Sequence, residues 1–103
     1  MTTAQQIAAY CGNDGTRTRW WADEIYARGG DIEADYIDYD GGVYLSDICK
    51  SYGASYTNDW DRELVVYLFG DGSAIVESGG AWDVRPDNCA AQCWAGVGCM
   101  CDK

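Results

Sequence analysis

The sequence predicts an α+β fold: short N-terminal helices followed by a small antiparallel sheet, with a β-hairpin near residues 62–78 and an irregular Cys-rich tail. Two observations predict it. The opening fifty residues carry short apolar runs at helical spacing, each between a capping residue and a glycine. Further on, two β-rich runs flank Gly70-Asp71-Gly72, the pattern of a hairpin. A chain of 103 residues suits a single domain over 1–103. With five Trp and eight Tyr it has material for a core, which separates it from acidic disordered chains.

Taken in order, Thr2 or Thr3 caps a first helix that runs through Cys11 and stops at Gly12. Gly12-Asn13-Asp14-Gly15 is a turn. A second helix is expected from about Thr16 or Thr18 through Arg28, with Trp20, Trp21, Glu24, Ile25 and Arg28 at helical spacing and Gly29-Gly30 as its end. Residues 31–40 fit either period: Ile32, Tyr36 and Tyr39 suit a helix, Ile32, Ala34 and Tyr36 a strand. A hairpin turn at Asp40-Gly41-Gly42, leading into Val43-Tyr44-Leu45, inclines the segment to strand. Ser46-Asp47 caps a short helix through Tyr52, closed by Gly53, and residues 54–61 read as a polar loop. The runs 62–69 and 73–78 form the hairpin, after which Gly79-Gly80 and Pro86 break the pattern. Residues 87–103 are expected to be irregular.

The charge is concentrated. The chain carries 17 acids against 7 bases, net −10. Residues 31–61 hold Asp31, Glu33, Asp35, Asp38, Asp40, Asp47, Asp59 and Asp61 against Lys50, a net of −7. Such a surface repels phosphate, so direct binding to nucleic acid is not expected; it attracts basic proteins, many of which handle nucleic acid. If 31–40 is a strand, alternate carboxylates stand roughly 6.5–7 Å apart, near the phosphate spacing of one DNA strand. The ordinary alternative is a solvated charged face. Tyr36, Ile37, Tyr39 and Tyr44 interleave these acids as candidate interface anchors.

Catalytic chemistry finds little to use. The chain has no His, which removes the commonest general base and metal ligand. Gly70-Asp71-Gly72 lacks the Lys and Ser/Thr of a phosphate loop, and with this many acids close carboxylate pairs arise by chance. No enzyme activity and no cofactor is expected. Cys89, Cys93, Cys99 and Cys101 are spaced C-x3-C-x5-C-x-C, unlike the two separated knuckles of a structural zinc site. Reduced thiols are expected in a cytoplasmic protein, with metal or disulfides as alternatives. Cys11 and Cys49 read as core. Met1 to Gln6 lack the marks of a secretory signal, and no apolar run is long enough to span a bilayer, so no membrane association is expected. Trp20-Trp21 beside Arg17 and Arg19 looks like a small stacking patch for nucleic acid. The stronger reading puts one Trp in the core and one at its edge.

In size, in its acidic middle segment and in the lack of a catalytic set, the chain resembles small phage and mobile-element inhibitors of bacterial defence, anti-CRISPR proteins above all. The stretch Asp71 to Val84, followed by Cys93-Trp94-Ala95-Gly96, is similar to phage proteins without an assigned role. The resemblance implies an inhibitor that occupies a basic nucleic-acid channel of a Cas effector or similar complex in the host cytoplasm. The residues assigned to that contact are Asp31, Glu33, Asp35, Tyr36, Asp38, Tyr39, Asp40, Asp59 and Asp61. The alternative is an interaction module stabilised by metal or disulfides in the Cys-rich tail.

Overall fold

The structure, a computed structural model, describes residues 2–12, 14–59 and 63–85. Asp61 and the tail cysteines Cys89, Cys93, Cys99 and Cys101 lie outside the described residues. The fold is a mixed α+β arrangement of short helices, a two-stranded ribbon and a four-stranded antiparallel sheet.

Helix α1 spans Thr3–Tyr10 and begins as expected. Thr2 Oγ1 accepts from Gln5 N–H at 3.2 Å, and Gln5 Oε1 accepts from Thr2 N–H at 2.8 Å, a reciprocal cap. Ala4, Ile7, Ala8 and Cys11 fall on one face and are buried. Burial pushes the Cys11 thiol up to about 12 and Cys49 well above its ordinary value, as for thiols set in the core.

The expected second helix divides in two. Arg19–Trp21 is strand β1, and helix α2 covers only Ala22–Ala27. Strand alternation and helical spacing both place Trp20 inside and Trp21 outside, so the apolar pattern did not distinguish them. The helix starts late because the Glu24 carboxylate turns back to accept from Trp21 N–H at 2.9 Å.

Residues 31–40 do not form a strand. Ala34–Tyr36 is a single 3-10 turn, Ile32 is buried, and Tyr36 and Ile37 pack against the core. Tyr26 OH donates to Ile32 C=O at 2.8 Å, and Asp31 N–H donates to Tyr52 OH at 3.4 Å. Two adjacent inward residues, Tyr36 and Ile37, are incompatible with a period of two. A tight turn does follow, closing at Gly42, where strand β2 (Gly42–Tyr44) pairs with β1 and not with 31–37. Helix α3 spans Leu45–Ser51 and buries Leu45, Ile48 and Cys49.

The expected loop at 54–61 contains strand β3, Ser55–Asp59. It lacks apolar alternation because it is an edge whose residues 55–58 are all exposed. Strands β4 (Leu64–Leu68) and β5 (Ala74–Ser78) form the expected hairpin. Gly79-Gly80 then makes a second hairpin where a break was expected. Both glycines have positive φ, 58° and 86°, the backbone of a primed turn, and strand β6 (Ala81–Arg85) returns along β5. The sheet order is β3-β4-β5-β6.

Tyr67, Ile75 and Trp82 face the main core with α1, α2, α3 and Trp20; Leu64, Val66, Ala74 and Val76 form a separate cluster on the other sheet face. Trp82 joins ribbon to sheet. Its N–H donates to Gly15 C=O at 2.7 Å, its Nε1–H to Arg17 C=O at 2.8 Å, and its ring meets Trp20 edge-on at 6.1 Å. Among the described residues no helix is long and apolar enough to cross a membrane.

Candidate protein-binding surface

Strands β1 and β2 pair as Arg19 with Tyr44, Trp20 with Val43 and Trp21 with Gly42. The middle pair points inward and is buried. The outer pairs put Arg19, Trp21 and Tyr44 on the opposite face, where Trp21 is 48% and Tyr44 45% exposed. The Arg19 guanidinium lies 5.1 Å from the ring centres of both aromatics, within cation–π range of each. Gly42 makes this possible, since a Cβ there would fall on the guanidinium.

The turn that leads into β2 supplies the carboxylates. Asp38 N–H donates to Gly42 C=O, and Gly41 N–H to Asp38 C=O, each at 2.9 Å. Gly41 takes φ +86°, the left-handed position this three-residue loop needs. Asp40 Oδ1 accepts from Gly42 N–H at 3.2 Å. Arg19 Nη2 donates to both Asp40 oxygens, at 2.7 and 2.8 Å, and reaches Asp38 Oδ2 at 3.4 Å. The Arg19 hydrogen bond holds the Asp40 carboxyl below its ordinary range, and the same bond raises the Arg19 guanidinium. Tyr39, at the tip of the turn, is fully exposed.

The structure therefore distributes the expected contact residues among several roles. Asp31, Glu33 and Asp35 are exposed and make no ion pair among the described residues. Asp38 and Asp40 are partly neutralised by Arg19. Tyr36 is half-buried against the core and supports the segment from within, whereas Tyr39 projects. Asp59 ends β3, on a different sheet from the ribbon, and Asp61 lies outside the described residues. Because the 3-10 turn Ala34–Tyr36 interrupts 31–40, the even carboxylate spacing expected of a continuous strand does not exist.

Sequence reasoning set aside Trp21, Arg17 and Arg19. Arg17 pairs with Glu24, Nη2 to Oε2 at 2.6 Å, which lowers the Glu24 carboxyl. Both arginines are thus engaged by acids. The signal that could have identified the ribbon is its period of two, Arg19-x-Trp21 and Gly42-x-Tyr44. Among the described residues no group of three or more His, Cys, Asp or Glu converges to hold a metal ion. Comparison with protein-family models, with curated proteins and with solved structures finds no match for this chain.

Proposed function

We propose that the protein is a non-enzymatic inhibitor of the anti-CRISPR type, binding a basic nucleic-acid-handling complex through its acidic segment and the outer face of the ribbon. One observation carries the reading: Trp21, Tyr39 and Tyr44 are exposed on the same ribbon and turn that hold Asp38 and Asp40. Large aromatics left in water beside carboxylates suit a protein interface better than a solvated face, which needs only the charge. Asp31, Glu33 and Asp35, with no cation partner among the described residues, supply the attraction for a basic channel. The aromatics supply short-range contact and set the lifetime of the complex. The irregular backbone at 31–40 favours a charged plug over a regular copy of a phosphate ladder.

The test is binding kinetics on purified Cas effector complexes, with and without their guide and target strands, across a salt series. The expected result is competition with nucleic acid and an association rate that falls as salt screens the approach, with a Debye length near ~10 Å at about 0.1 M. Replacing Asp31, Glu33 and Asp35 by Asn, Gln and Asn slows association. Trp21→Ala with Tyr44→Ala speeds dissociation and leaves the salt dependence unchanged. Simultaneous binding of protein and nucleic acid, with a salt-independent association rate, would overturn the proposal.

A further inference from the structure

The two edges of the four-stranded sheet are finished differently. Phe69 N–H donates to Ser73 C=O at 3.0 Å, which fixes the phase of the ladder. Odd-numbered residues of β4 then bond to β5, and even-numbered ones to β3. Carried outward through the register, the outward-facing backbone groups are those of Tyr56 and Asn58 on β3, and Trp82 and Val84 on β6. On β6 both N–H groups are occupied: Trp82 donates to Gly15 C=O at 2.7 Å, and Val84 to the Asp83 carboxylate at 2.9 Å. On β3 neither Tyr56 N–H nor Asn58 N–H has a protein partner among the described residues. The strand has no Pro, Lys or bulge over its five paired residues, the devices that usually protect an edge.

We infer that the β3 edge pairs with the β3 edge of a second copy of this chain. The open groups are self-complementary. In an antiparallel pair centred on Thr57, Tyr56 stands opposite Asn58 of the second copy and Asn58 opposite its Tyr56. All four outward groups of each strand are satisfied in that single register. Residues 51–58 are uncharged, in a chain of net −10. The register sets Asp59 opposite Ser55 of the second copy, so no acid faces an acid. Tyr56, 52% exposed and beside Tyr67 at 6.3 Å, would gain cover from the added strand. The ribbon and residues 31–40 lie outside the paired strands, so a dimer would present two copies of that part of the proposed binding surface.

A single strand pairing buries little area, and association on the order of 0.1 mM is expected. Because two acidic chains repel, salt should strengthen it, the opposite sign from the partner binding proposed above. Sedimentation equilibrium across concentration and salt tests this. Asn58→Pro removes only an outward N–H, a change an edge strand tolerates. By symmetry it deletes two hydrogen bonds and is expected to weaken the dimer at least about tenfold. Thr57→Lys, which sets two ammonium groups against each other at the two-fold, gives the same result through a different mechanism and decides the matter if Asn58→Pro fails to fold. A monomer at every concentration, or a dimer that Thr57→Lys leaves intact, overturns the inference whether or not the acidic face binds its partner.

Discussion

Two turns of this protein share a backbone and differ in what their aspartates hold. Asp38 to Gly42 and Phe69 to Ser73 each close a three-residue loop with the same two hydrogen bonds, and Gly41 and Gly72 occupy the same left-handed position. Asp40 and Asp71 precede those glycines, and each accepts from the N–H two residues on. Asp71 then accepts from Ser73 Oγ–H at 2.6 Å and from Thr3 N–H and Oγ1–H at 2.7 and 2.9 Å. Asp40 instead grips an arginine stacked between two exposed aromatics. One turn closes the fold upon itself, and the other displays its charge. A short motif fixes the loop, and its surroundings decide the aspartate's role.

The largest effect that would sharpen this contrast lies beside Asp71. Ser73 is fully buried; its hydroxyl donates to Asp71 and accepts from Ala4 N–H at 3.2 Å. Ser73→Ala leaves both groups short of a partner, and chemical denaturation is expected to show a loss of ~1–3 kcal/mol. Next come the glycines. Gly41→Ala and Gly72→Ala each force a Cβ into the left-handed region, at about 1–2 kcal/mol. Similar losses at both sites would support the shared backbone; a loss at only one would break the comparison.

Acid gives a smaller, graded effect. Hydrogen bonds from Ser73 and Thr3 hold the Asp71 carboxyl well below its ordinary range, and Arg19 does the same for Asp40. A carboxyl depressed in the folded state contributes stability above its unfolded value and loses it as pH falls through the folded one. Melting temperature should therefore be flat above the ordinary carboxylate range and drop below it. Asp71→Asn should flatten that drop more than Asp40→Asn does. The smallest effect on stability is expected from Arg19→Ala, because its ion pairs are at the surface. Calorimetry should show a melting temperature near that of the unchanged protein, while increased mobility of the Trp21 ring, read by NMR relaxation of its own indole N–H, reports the lost stack.

How far the sequence could be read follows from the same physics. Helices α1 and α3 were legible because each has an apolar stripe and a stop, and the 62–78 hairpin because its β-rich runs flank a glycine turn. Strand β3 was not, since Ser55-Tyr56-Thr57-Asn58 faces water on both sides and shows no period. Strand β6 was concealed by Gly79-Gly80, which as readily ends a chain segment as reverses it. For the acidic segment, the position of the charge was readable but its geometry was not. Ile32, Tyr36 and Ile37 are drawn into a core whose shape is set by distant residues. The pairing of Arg19 with Asp40, 21 positions away, depends on a strand that helical spacing disguised.

The bond from Asp71 to Thr3 spans 68 positions and has a consequence for how the chain is made. An eight-residue helix is marginal by itself in water. Helix α1 leaves the ribosome before the hairpin, yet it lacks this anchor until residue 73 is also free. Synthesis and assembly thus run in opposite orders for this pair: α1 is secured only after the hairpin, and a nascent chain stalled before the hairpin carries an unfastened α1 within reach of proteases and chaperones.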